Sequence, residues 1–381
     1  MKLFLSYFLL LVILNYSLVY SQELVNQSAD DDSLQVFSSE KSSINLIGGS
    51  FLYGYMIPHA KEVLPVRGLN PRGHEIIYNW HLNNDDVWND CECYPRFGLF
   101  LSYYDFDLEE LLGHGFAAGL MFTYFFGLPS EFNFHLKGRG GVSYLTNPFD
   151  RNQEPVNWSY STHFNYILGV GGGITYRPFN RIEFQLDGSM NHQSNAALLE
   201  PNGGINYWAL ALSTNYYFDN PDFHPRDIYD PYIHSEKKKR WDVSFSWGIS
   251  SMPFPLPGQV PMYSITFLRS IQLWRIFAVS FAAELERNGR AVELSRRGYA
   301  PETTNPFRGS VLLGGEFLMG RSILSAQMGG YVYRSFKEKD DVYQRWGVAY
   351  NVYDDIFVGI SFKSYRNSAD HLSLRFTYSF R

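Results

Sequence analysis

His192 and Ser194 stand two residues apart in "NHQSNAALLEPNGGINYW", residues 191–208, between two runs that alternate apolar and polar residues. On a strand that spacing puts both side chains on one face. A serine hydroxyl is a weak nucleophile until an adjacent imidazole takes its proton, and the imidazole needs a third group to hold its tautomer. The chemistry this pair offers is acyl transfer. Ser194 would attack an ester carbonyl, with His192 acting first as general base and then as general acid. Backbone N–H groups at Asn195 and Ala196, or the Asn195 amide, are candidates for holding the oxyanion in the turn that follows. An H-x-S spacing at a hairpin tip is weak evidence alone, so the face the pair shares must decide its meaning.

The flanking runs define that face. Ile182, Phe184, Leu186 and Met190 form one row, opposed by Arg181, Glu183, Gln185, Asp187, Ser189 and Asn191. Phe164, Tyr166, Leu168, Val170, Ile174 and Tyr176 likewise oppose His163, Asn165, three glycines and Thr175. At the C-terminus Leu372, Leu374, Phe376, Tyr378 and Phe380 oppose His371, Ser373, Arg375, Thr377 and Ser379. Further alternating runs fall near 43–56, 73–82, 96–105, 114–126, 131–145, 204–218, 241–252, 259–269, 273–286, 308–319, 321–334, 342–351 and 355–365. Together they predict about sixteen strands.

The opening "MKLFLSYFLLLVILNYSLVYSQ" has a basic start, an apolar run and a small-residue cleavage site, and reads as a secretory signal over residues 1–21. A polar, patternless tail follows at 22–42. Beyond it no apolar run is long enough for a membrane-spanning helix. Aromatic residues reach 18% of the chain and glycines number 32. With export and repeated alternation, that balance favours an all-β transmembrane antiparallel barrel of a Gram-negative-type outer membrane over a soluble β protein. Aromatic residues crowd the row ends, where interfacial girdles belong. The formal charge of −6 argues against nucleic acid as a partner. The stretch 219–240, rich in proline and charge, separates strands 43–218 from strands 241–381. It is either a linker or a periplasmic excursion, so periodicity leaves open one wide barrel or an eight-stranded barrel plus a second β lobe. Cys91 and Cys93 are so close that a disulfide between them would be strained, and the pair stays unassigned. "GVGGG" at 169–173 precedes no helix, so its glycines are expected to permit close strand packing and not to bind phosphate.

Extending the apolar row past Met190 reaches His192 and then Ser194. On the returning strand the row of Trp208, Leu210, Leu212, Tyr216 and Phe218 extends back to Asn206. Three polar side chains thus continue lipid-facing rows at a hairpin end. Such groups are costly at the bilayer centre and tolerated near the headgroups, where ester linkages lie.

"HQSNAALLEPNGGIN" resembles the H-x-S-N…P-N-x-G signature of lipid A deacylases of the PagL type, known more widely as acyloxyacyl hydrolases. "YGYMIPH" at 53–59, "VWNDCECYPRFG" at 87–98 and "GISFKSYRNSADHLSLRFTYSF" at 359–380 are similar to larger members of that group. The resemblance implies an eight-stranded outer-membrane barrel that removes an ester-linked acyl chain from lipid A, with outer-membrane lipids around it and no cofactor or metal. It implies Ser194 as nucleophile, His192 as base and Asn195 in the oxyanion region. The third member in these enzymes is a glutamate, and Asn206 stands at that position. Asparagine can fix an imidazole tautomer but cannot stabilise the imidazolium by charge. Glu200 is the alternative acid, whereas Asp187 lies on the inward row. Against an esterase stands a barrel that keeps the scaffold without hydrolysis, as a pore, adhesin or lipid-binding scaffold.

Overall fold

The structure is a computed structural model that describes residues 43–380, apart from 60, 85–86, 89–90, 92, 127–129, 153–154, 224–238, 275 and 366–367. The expected signal segment, the tail and most of the 219–240 stretch lie outside the described residues. Sixteen antiparallel strands form two closed barrels of eight. The first comprises β1 (Ser43–Met56), β2 (Arg72–Leu82), β3 (Arg96–Asp105), β4 (His114–Phe125), β5 (Phe132–Leu145), β6 (Phe164–Phe179), β7 (Ile182–Ser194) and β8 (Ile205–Tyr217). The second comprises β9 (Lys239–Ser251), β10 (Gln259–Trp274), β11 (Phe277–Asn288), β12 (Phe307–Met319), β13 (Ser322–Arg334), β14 (Val342–Tyr353), β15 (Ile356–Tyr365) and β16 (Ser368–Phe380). Pairing of β1 with β8 closes one and pairing of β9 with β16 closes the other. The wide single barrel is thereby excluded.

The strands alternate apolar outward and polar inward, the reverse of a soluble core. Leu210 and Leu212 are 63% and 62% exposed on the outer wall, while Glu183 is 2% exposed in the lumen. Only a lipid surround makes that arrangement favourable. Each lumen is packed with paired charges, because an unpaired ion there would lose its hydration without return. In the first barrel Arg96 forks onto both carboxylate oxygens of Glu183 at 2.9 Å, Arg139 meets Glu75 at 2.7 Å, and Lys137 meets Asp187 at 2.7 Å. In the second, Arg345 pairs with Glu284, Lys363 lies 2.5 Å from Glu286, and Arg240 lies 2.9 Å from Glu316. The glycines of 169–173 serve close strand approach: a Cβ on Gly171 would fall 2.3 Å from the Gly188 carbonyl oxygen.

Both barrels have long connections at one end, among them 195–204 and 289–306, and tight turns such as 180–181 and 320–321 at the other. Long loops mark the extracellular side of outer-membrane barrels, and the tip of the β7–β8 hairpin is on that side. The barrels touch at both ends. At the loop end the Ser251 N–H donates to the Ala197 carbonyl at 2.8 Å. At the turn end Tyr124 meets Phe317 edge-on at 5.8 Å. Cys91 and Cys93 pack beside that contact and are joined in a disulfide, their Cα atoms 5.1 Å apart. That separation is ordinary for a disulfide, so the pair that the sequence leaves unassigned is bonded.

Candidate active site

Antiparallel pairing sets His192 directly opposite Asn206, and Tyr166 of β6 opposite Ser194. Directly opposed residues on one face lie within side-chain reach. The alternation of β7 carries His192 and Ser194 onto the outer row of Phe184 and Leu186, and Asn206 joins from the row of Trp208 and Leu210. Three residues separated in sequence therefore converge on one outward spot at the loop end.

Their bonds run as a chain. Ser194 Oγ lies 2.8 Å from His192 Nε2, and His192 Nδ1 lies 2.5 Å from Asn206 Oδ1. The Asn206 amide nitrogen in turn donates to His59 Nδ1 at 2.7 Å. His59 lies just beyond β1, held there by the Ile57 N–H donating to the Asn206 carbonyl at 2.8 Å. The sequence alone gives His59, at the end of "YGYMIPH", no role. The two residues are 147 positions apart, so only barrel closure shows the contact.

The tautomer of His192 follows from the way the Asn206 amide is turned. An asparagine NH2 can only donate and its oxygen can only accept. With NH2 toward His59, the Asn206 oxygen faces His192 and requires a proton on Nδ1. His192 Nε2 is then left with its lone pair toward the Ser194 hydroxyl. That is the tautomer a general base needs.

The expected oxyanion donors separate. The Ala196 N–H faces Ser194 Oγ at 3.4 Å. Asn195, by contrast, is occupied in shaping the loop. Its N–H donates to Asn202 Oδ1 at 3.1 Å, and its side-chain NH2 donates to the Leu199 carbonyl at 2.8 Å and Ser161 Oγ at 3.2 Å. Asn202, not Asn195, has an uncommitted side-chain donor here. Its amide nitrogen is buried, has no hydrogen-bond partner among the described residues, and belongs to a residue lining the same cavity as Ser194. The signal was present as the asparagine of "PNGG", but a turn residue's direction cannot be read from alternation.

Glu200 does not reach the imidazole, whose two nitrogens are both engaged. Its carboxylate accepts from the Asn202 N–H at 3.0 Å, so it steadies Asn202. Burial pushes its carboxyl above the usual range, opposed by the positive charge of Lys339. Gly204, at φ +77, is the position where glycine is required: a Cβ would lie 2.7 Å from His192 Cε1. The cavity over these groups measures about 200 Å³, and Phe362, Ser364 and Tyr365 of the second barrel form its far wall.

Residues 74–215 match the family described as Lipid A 3-O-deacylase (PagL), and residues 239–381 match that described as Acyloxyacyl hydrolase, C-terminal domain (PagL_C). The chain belongs to the PagL family of outer-membrane barrels. Within this PagL-family chain each match falls on one barrel, and His59 precedes the first. No curated protein matches the sequence. Among solved structures, the outer membrane enzyme PagL is 16% identical, covering 44% of this chain and 97% of its own, with a TM-score of 0.32. Neisserial surface protein A is 12% identical, covering 46% and 97%, with a TM-score of 0.32. The N-terminal β-barrel domain of Pseudomonas aeruginosa OprF is 16% identical, covering 46% and 99%, with a TM-score of 0.28.

Proposed function

We propose that this protein is an outer-membrane esterase that removes an ester-linked acyl chain from lipid A, reaching it from the outer leaflet. The carrying observation is the chain Ser194–His192–Asn206–His59 on the outer wall at the loop end. A substrate embedded in the leaflet presents its ester linkages at that level, so it can approach sideways without leaving the membrane. His192 Nε2 takes the hydroxyl proton as Ser194 Oγ bonds to the ester carbonyl carbon. The Ala196 N–H and the Asn202 amide receive the oxyanion. His192 then returns the proton to the leaving alcohol, and water, activated in the same way, releases the fatty acid from Ser194. No cofactor enters these steps. Export through the N-terminal signal segment would deliver the chain to this location.

A pore fits poorly with lumens closed by paired side chains such as Arg96–Glu183 and Arg345–Glu284. A scaffold without hydrolysis has one observation in its favour, the neutral Asn206, which gives the imidazolium no countercharge. One experiment separates the two readings. Purified protein is incubated with lipopolysaccharide, and the lipid A is weighed by mass spectrometry. Loss of one acyl chain, absent in Ser194→Ala and His192→Ala, supports hydrolysis. An unchanged mass with a folded barrel supports the scaffold.

A further inference from the structure

We infer that the C-terminal barrel is part of this active site: its β9–β10 hairpin holds the oxyanion segment in working shape. The inference rests on the proposed hydrolysis and adds a role for the second half of the chain.

The segment needs holding. Ala196 and Ala197 adopt φ of +54 and +60, consecutive left-handed conformations that residues with a Cβ disfavour. Neither is glycine, so local sequence does not supply the shape. That shape turns the Ala196 N–H toward Ser194 Oγ.

The restraint comes from one place in the second barrel. Ser251 at the end of β9 donates its backbone N–H to the Ala197 carbonyl at 2.8 Å. Pairing of β9 with β16 ends at Ile249 opposite Leu372, so the Ser251 N–H lies beyond that ladder and is available. Gln259, directly opposite Ser251 on β10, donates its side-chain amide to the Leu198 carbonyl at 2.5 Å. Phe254, in the connection between them, packs edge-on against Trp158 at 5.1 Å. The Trp158 carbonyl accepts from the Gly203 N–H at 2.9 Å, on the far side of the catalytic loop. Two successive carbonyls and a ring contact from one hairpin thus brace both limbs of the 195–204 loop.

The test uses the full-length protein in detergent micelles and two readouts. One is steady-state hydrolysis of a long-chain p-nitrophenyl ester, and the other is amide hydrogen exchange read by mass spectrometry. Ser251→Pro deletes the donor. The expected result is a kcat about tenfold lower with KM within about twofold, since a misplaced oxyanion donor weakens the transition state and not substrate binding. Exchange should accelerate over residues 195–199 and stay unchanged in β7. Adding Ala197→Gly should restore most of the lost kcat, because glycine takes the left-handed conformation unaided. A Phe254→Ala, Gln259→Glu double variant leaves the β9 backbone intact and should act in the same direction should Ser251→Pro not fold. Full kcat with unchanged exchange in a folded variant overturns the inference, as does a defect that Ala197→Gly fails to relieve. Should the wild type hydrolyse neither this ester nor lipopolysaccharide, the esterase reading falls, while the exchange readout still decides whether the hairpin braces the loop.

Discussion

The hairpins β7–β8 and β15–β16 are the last in their respective barrels, face one another across the cavity, and contain similar residue types. In the first, His192 lies on the outer row beside Ser194. In the second, His371 is buried on the lumen side, 3.1 Å from Asp370, while Ser364 points outward to Gln344 at 3.4 Å. Strand alternation has period two, so a shift of one residue sends a side chain to the opposite face. One imidazole therefore lies on the outer row, in the cavity shared with the second barrel, and the other joins the ion network. What distinguishes the two hairpins is the parity of one histidine, not its presence.

The sharpest break of that comparison is removal of each hydroxyl. Ser194→Ala should lower kcat by about 10⁴-fold or more, as loss of a nucleophile does. Ser364→Ala, on the facing wall, should stay within about threefold, because no imidazole partners it. Equal losses in a lipid A mass assay would mean that the second hairpin shares the chemistry.

The lumens should behave alike. Glu183→Ala strands Arg96, and Glu284→Ala strands Arg345, each leaving a buried guanidinium without its carboxylate. Each should cost about 3–5 kcal/mol of barrel stability. Urea unfolding from lipid vesicles would check this. A barrel indifferent to its substitution would show that its lumen admits water and that the two cores differ after all.

Next in size are the residues that make the outward parity productive. Asn202→Ala should lower kcat by about 10²-fold with little change in KM, the signature of a lost oxyanion donor. His59→Phe removes the acceptor that orients Asn206. The amide can then turn its NH2 toward His192 and impose the wrong tautomer, so kcat should fall by about 10- to 100-fold. His59→Gln, which keeps an acceptor, should recover part of it. Asn206→Glu should preserve or raise turnover, and should make His59→Phe nearly harmless, since a carboxylate has no wrong way round. If His59→Phe is equally damaging in both backgrounds, the orienting role is wrong.

How far the sequence carried this picture depended on the kind of interaction. Alternation around Leu186 and Leu210 was legible because lipid outside and charge inside leave a mark on every second residue. The outward placement of His192, Ser194 and Asn206 followed from the same count. Closure was not legible: pairing such as Leu46 with Tyr217 is made by backbone groups common to every strand, so eight-plus-eight and sixteen look alike. His59 was hidden for that reason. The turn and the family resemblance both point to Asn195 as an oxyanion donor, yet loop geometry spends its donors on Leu199, Ser161 and Asn202. The bond between Cys91 and Cys93 depends on local backbone shape that residue spacing does not encode.

The smallest expected effect tests whether the two barrels also meet electrostatically. Glu200 lies in the 195–204 loop and Lys339 in the second barrel's β13–β14 connection, where it donates to the Ala369 carbonyl at 3.0 Å. Burial is the larger influence on Glu200 and raises its pKa above the ordinary 4.5; Lys339 is the first of the opposing ones. A raised value means that the folded loop prefers the protonated acid. Its contribution is full below the ordinary carboxylate range and is lost as pH rises through the raised value. Glu200→Gln stays neutral throughout. Exchange of amides 200–204, compared with wild type at each pH, should therefore match in acid and become slower in the variant as pH climbs. Lys339→Gln should widen the gap, because the desolvated carboxylate then loses the largest of its compensating charges. A gap that ignores Lys339 would leave Arg290 as the other second-barrel charge acting on Glu200, beside the hydrogen bonds and the packing of Phe254 on Trp158 and Phe149.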